Sequence, residues 1–125
     1  MSELLETLAA IADVVKEAIG KIPTLEERGK DVEMGADGTP TSLIDKIAEN
    51  TRHHVPLNVL SEEIGYVDNG AEETLVLDPI DGTSNAIAGV PMYTVSMAVG
   101  RKHLSDIHTA YLRNLATGET MWAEK

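Results

Sequence analysis

The sequence has no cysteine, so disulfides and thiolate-bound metals are excluded and no redox signature is carried. It has no phenylalanine either, and aromatic residues make up only 3%. A core must therefore be aliphatic, built from Leu, Ile, Val, Ala and Met. Basic residues are scarce, 10 against 21 acidic ones, for a formal net charge of −11. That balance lacks the basic face a nucleic-acid binder needs, so no nucleic-acid partner is expected. No apolar run approaches the roughly 20 residues of a membrane-spanning helix. The start, Met1-Ser2-Glu3-Leu4-Leu5-Glu6, is acidic and does not have the form of a signal peptide. A cytoplasmic protein without a membrane partner is the resulting expectation.

What is present fits a globular domain. The 125 residues suffice for one domain with a core, and 42% of them are hydrophobic. Residues 2–20 read as an amphipathic helix. Leu4, Leu8, Ile11, Val15 and Ile19 keep helical spacing, with Leu5 and Ala12 widening the stripe. Ser2 suits the N-cap, Glu3 and Glu6 the first turn, and Gly20 the end. Residues 23–40 are polar. Asp37-Gly38 signals a turn, in either a solvated loop or an acidic flap beside a site. A second helix is expected from about Thr41 to His53. In it Asp45 reads as a first-turn dipole partner, and His53 and His54 as helix-end residues.

The remaining chain reads mostly as strands. Pro56–Leu60 is a short strand, followed by Ser61-Glu62-Glu63, and Asp68-Asn69-Gly70 is a turn. Glu72-Glu73 looks like solvated surface. Thr74–Leu77 is a β-rich run. Alternation over residues 93–99 and 107–114, then 119–123, predicts three strands with short connections, an antiparallel meander. Helix first and strands later imply an α+β fold, with helices packed on a mostly antiparallel sheet. The last strand bears the lone Trp122 and forms an exposed edge.

One stretch carries chemistry: Asp78-Pro79-Ile80-Asp81-Gly82-Thr83-Ser84-Asn85. Two carboxylates flank a proline that fixes the backbone, and Gly-Thr-Ser opens a short helix that ends at Gly89 and Pro91. Hard oxygen ligands suit Mg²⁺, Mn²⁺ or Ca²⁺ rather than zinc. The N–H groups of Gly82, Thr83 and Ser84 suit phosphate oxygens. Glu62 reaches the same region if the strand at 57–61 lies beside that at 74–77. Two metals close together would polarise a phosphate ester and generate hydroxide, with Thr83 orienting the water. The plain alternative is an Asp-Gly turn with a helix cap.

Ser61-Glu62-Glu63, then Leu77-Asp78-Pro79-Ile80-Asp81-Gly82-Thr83-Ser84-Asn85, then Gly89-Val90-Pro91, resembles the inositol monophosphatase and fructose-1,6-bisphosphatase superfamily of lithium-sensitive, magnesium-dependent phosphatases. Gly35-Ala36-Asp37-Gly38-Thr39-Pro40-Thr41 and Leu43-Ile44-Asp45-Lys46 look most like its archaeal members. The resemblance implies a sugar-phosphatase αβαβα fold, of which residues 1–125 would form the N-terminal α+β domain. It implies Mg²⁺, with Mn²⁺ as a substitute and Li⁺ as an inhibitor. The expected reaction is hydrolysis of a small phosphorylated polyol or sugar, in a protein that is commonly a homodimer. By the resemblance, Glu62, Asp78 and the Ile80 carbonyl hold a first metal, and Asp78 and Asp81 serve a second. Asp45 and Thr83 activate water, Gly82, Thr83 and Ser84 bind phosphate, and Glu63 lies near the metals. The sequence departs from the family at Ala86, Val90 and Met92, where aromatics are usual. The family's later Trp-Asp motif has no counterpart, since Trp122 precedes Ala123. The chain is thus expected to be an N-terminal portion, or else a metal- and phosphate-binding module without turnover.

Overall fold

The computed structural model describes residues 2–20, 56–61 and 65–125. The expected turn at Asp37-Gly38, the helix from Thr41 to His53 and the Glu62-Glu63 pair lie outside the described residues. Helix α1 spans Glu3–Gly20. Its N-cap is Ser2, whose hydroxyl accepts the Leu5 N–H at 3.2 Å. Leu5, Leu8, Ile11, Ala12 and Val15 are fully buried, while Leu4 is only partly covered. The apolar stripe is therefore centred on Leu5 and Leu8 rather than on Leu4.

Among the described residues, six strands form one sheet in the order β2-β1-β3-β4-β5-β6. They are β1 Asn58–Ser61, β2 Gly65–Val67, β3 Thr74–Asp81, β4 Thr94–Gly100, β5 Thr109–Asn114 and β6 Thr120–Glu124. β3 to β6 form the expected antiparallel meander. β1 lies parallel to β3, with Leu60 opposite Val76. The fold is α+β on a mostly antiparallel sheet. β2 is an addition to the sequence-based expectation, and β3 extends four residues further than expected, through the motif itself.

One face of the sheet packs on α1. Leu75, Leu77, Val95, Met97, Val99 and Tyr111 alternate onto that face and are buried with the helix stripe. Tyr111 is tied in by Arg113, whose Nη2 donates to the phenolic oxygen at 2.6 Å. Arg113 also pairs with Asp13 of α1, joining helix to sheet. On the face away from α1, Leu60 and Val76 are 43% and 40% exposed. Every residue of the edge strand β6 is exposed, Trp122 among them.

Two asparagine side chains fix the connection between β2 and β3. Asn58, 4% exposed, donates to the Ala71 carbonyl at 2.8 Å and accepts the N–H groups of Asn69 and Ala71. Asn69 in turn donates to the Leu57 carbonyl at 2.9 Å. Glu73 corrects the surface reading: it is half-buried and pairs with His108, whose Nδ1 lies 2.8 Å from the Thr109 hydroxyl. This pair holds the start of β3 across to β5, a contact between residues distant in sequence. Asn58→Ala would leave two backbone donors and one acceptor unmatched in a buried corner. A loss of about 2–3 kcal/mol is expected in urea-induced unfolding.

Candidate active site

The motif is built on an irregularity in β3. Asp78 lies opposite Ser96 and Asp81 opposite Thr94, so the register shifts between the two aspartates. Three steps along β3 correspond to two along β4: one extra residue is accommodated, which defines a β-bulge. Pro79 sits in this bulge, where its missing N–H costs no ladder bond. Side chains directly opposite each other share a face. Ser96 and Thr94 are two apart on β4, hence on one face, and the aspartates opposite them share it. Without the bulge, residues three apart on a strand would point to opposite faces. Buried Val95 and Met97 lie on the α1 face, so both aspartates lie on the face away from α1, where both are exposed.

That face carries a groove lined by Leu60, Ser61, Val76, Asp78, Ser96 and Ala98. Ser61 ends β1, and Glu62 follows it in the chain, just outside the described residues. The parallel pairing of β1 with β3 thus brings the strand leading to Glu62 beside Asp78, as expected. Asp78 Oδ1 accepts the Ile80 N–H at 3.3 Å, a local bond that supports the bulge. Ile80 is partly buried against the core, which anchors the residue between the carboxylates.

Gly82 ends the strand run with φ +99°. A Cβ there would lie 2.8 Å from the Met92 carbonyl oxygen and 3.3 Å from Tyr93 Cα. Both facts require glycine. The chain then enters helix α2, Thr83–Ala88, as expected from the sequence. Gly89 takes φ +76°, and the Val90 N–H bonds back to the Asn85 carbonyl at 2.9 Å, closing the helix with a Schellman-type cap. The Asn85 side chain donates to the Met92 carbonyl at 2.9 Å. Asn85 is quoted above only as part of the motif; its bracing contact is a tertiary feature.

Of the residues singled out by sequence, the structure brings Asp78, Asp81 and Gly82 together with the start of α2, where Ser84 is exposed. The side chain of Thr83 and all of Asp45, Glu62 and Glu63 lie outside the described residues. The donors in hand are carboxylates and backbone carbonyls, which match a hard divalent cation in kind. Like charges on one face also repel, and a bound cation offsets that repulsion. Among the described residues no three His, Asp or Glu side chains are grouped to hold a metal, so two aspartates supply only part of a ligand set.

Comparison with known proteins decides the family. A model of the inositol monophosphatase family matches residues 2–123. The chain belongs to the inositol monophosphatase family. Within the curated proteins, it is 38% identical to a fructose-1,6-bisphosphatase/inositol-1-monophosphatase of Methanothermobacter thermautotrophicus, over 92% of this chain and 48% of that one. It is 41% identical to the protein of the same description from Archaeoglobus fulgidus, over 91% and 46%. A bifunctional NADP phosphatase/NAD kinase of Methanococcus maripaludis is 34% identical, over 98% and 26%. The chain thus spans about half the length of the first two relatives and about a quarter of the third. The fold is shared with a Pyrococcus horikoshii protein described as similar to inositol-1 monophosphatase. The TM-score is 0.74 at 22% identity, over 99% of this chain and 49% of that one. It is also shared with inositol monophosphatase II of Staphylococcus aureus, with a TM-score of 0.69 at 19% identity, over 98% and 46%.

Membership of this phosphatase family makes the glycine at position 82 a direct check on the site's construction. Gly82→Ala forces a side chain into a left-handed backbone and against the Met92 carbonyl. The left-handed backbone alone costs about 1–3 kcal/mol in urea-induced unfolding, at Gly82 (φ +99°) and at Gly65 (φ +73°) alike; Gly82→Ala is expected to be the costlier of the two, because a Cβ at Gly65 meets nothing within 4 Å.

Proposed function

We propose that the chain carries the first metal site and the phosphate cradle of a Mg²⁺-dependent phosphomonoesterase. The observation that carries this reading is the bulge that turns Asp78 and Asp81 to one face, immediately before Gly82 and α2. Glu62, Asp78, Asp81 and the Ile80 carbonyl hold divalent cations, with Glu63 close by. Mg²⁺ is the working ion, Mn²⁺ a substitute and Li⁺ an inhibitor, by family resemblance. When bound, such an ion polarises the phosphate ester and makes water acidic enough to attack near neutral pH. Asp45 takes the proton of that water, and the Thr83 hydroxyl orients it. The N–H groups of Gly82, Thr83 and Ser84 hold phosphate oxygens, which neutral donors stabilise as negative charge builds.

The substrates proposed are inositol 1-phosphate, fructose 1,6-bisphosphate or both, in line with the two relatives named for these activities. The relative named as an NADP phosphatase/NAD kinase supports NADP as a further substrate to assay. A cytoplasmic homodimer completes the reading, again by family resemblance. A second reading is a metal- and phosphate-binding module without turnover.

Phosphate release from the three compounds, with calorimetry of Mg²⁺ binding beside it, both on the 125-residue chain, separates these readings. Turnover that chelation abolishes supports the phosphatase; binding without turnover supports the module. Asp81→Asn is expected to lower kcat/KM by at least about 100-fold, because it removes a charged ligand where even outer contacts matter 10- to 100-fold. Full activity in that variant contradicts the assignment.

A further inference from the structure

The phosphate cradle does not stand alone. Gly82 lies against the Met92 carbonyl, and Asn85 donates to the same oxygen. The segment that presents this oxygen, Gly89–Met92, is short and exposed. It holds a tight turn around Pro91, with the Met92 N–H on the Val90 carbonyl at 2.7 Å. The sheet grips it through the next residue at one end, where the Leu115 N–H bonds to the Tyr93 carbonyl at 2.9 Å. Its middle is gripped by one side chain: Asn114 Nδ2 donates to the Pro91 carbonyl at 3.0 Å.

Asn114 is itself fixed. Its Oδ1 accepts the N–H groups of Ala116 and Thr117 at 2.9 and 3.1 Å. Its backbone N–H donates to the Glu119 carbonyl, and its carbonyl accepts the Gly118 N–H, both at 2.8 Å. A side chain held at its oxygen by two backbone donors has its nitrogen aimed by the planar amide, with little rotamer freedom left to lose.

We propose that Asn114 is a positioning residue for the phosphate-binding turn. It acts at second hand: Asn114 sets Pro91, Pro91 sets the Met92 carbonyl, and that carbonyl sets Gly82 and Asn85. The inference rests on the reading of Gly82–Ser84 as the phosphate cradle. It adds a residue 30 to 32 positions beyond that motif, at the β5–β6 turn, to the phosphatase machinery. Donors that must meet a phosphate at hydrogen-bond distance lose affinity when the backbone presenting them shifts.

The test is Asn114→Asp in the full-length protein, with Asn114→Ala beside it. The aspartate keeps the acceptor for Ala116 and Thr117 and loses the donor to Pro91; the alanine loses both. Amide NMR spectra without any ligand should show Gly82 to Asn85 displaced in both variants, while residues of α1 keep their positions. Changes confined to 89–92 and 114–119 overturn the proposal, as does loss of the fold in both variants, since a positioning role leaves the core intact. With inositol 1-phosphate, or whichever phosphomonoester the wild type cleaves, KM should rise about tenfold in Asn114→Asp and kcat change much less. An unchanged KM also overturns it. A wild type that cleaves none of them contradicts the phosphatase reading instead, and the ligand-free spectra still decide the role of Asn114.

Discussion

A strand turns successive side chains to opposite faces, and this period of two governs everything placed on it. Asp78 and Asp81 are separated by an odd number of steps, so a regular strand would divide them between the α1 face and the face away from α1. The single extra residue between them in β3 restores the match. Leu75 and Leu77 can then keep their place in the core while both carboxylates leave it. The core constrains the bulge from one side through Ile80, and the Asp78–Ile80 contact constrains it from the other. Bulges bend a strand and re-aim side chains, and their occurrence beside reactive groups is a recurrent use of the device.

From that point the surrounding structure has a consistent logic. β1 runs parallel to β3 and brings Ser61 to the groove shared with Asp78. Gly82 is pressed against the Met92 carbonyl, so the turn after the bulge is closed off by backbone rather than by a movable side chain. Asn85 and Asn114 brace the same loop from two sides. Asn58 fixes the β2–β3 connection from a buried position. In an aliphatic core that lacks direction, these amide contacts supply registry, because each satisfies backbone groups that would be costly to leave unmatched.

Much of this was legible in the sequence where the determining contacts are local. The stripe of α1, its Ser2 cap, the turn at Asp68-Asn69-Gly70 and the meander from β3 to β6 all follow from spacing and turn chemistry. β2 was not legible, because Gly65-Tyr66-Val67 is too short to show alternation and its pairing with β1 supplies the order. The bulge was not legible either. Register belongs to a pair of strands, so Pro79 hints at an irregularity without saying which way Asp81 turns. Glu73 looked like surface because its partner His108 lies far along the chain. Asp78, Asp81 and Gly82 stood out by motif. Asn114 did not: an asparagine before a Thr-Gly loop reads as turn chemistry, and only the fold brings it to Pro91. Asp45, Glu62 and Glu63 gain their roles from family resemblance.

One face of the sheet, at the bulge, gathers the two carboxylates proposed to bind metal, Asp78 and Asp81. Paramagnetic broadening of amide NMR signals by substoichiometric Mn²⁺ tests it most directly. The account predicts selective broadening at Asp78 to Ser84 and at Thr94 and Ser96, with Leu8, Ile11 and Val15 of α1 spared. Broadening spread evenly over the acidic surface, or centred on Glu3 and Glu6 at the start of α1, would contradict it.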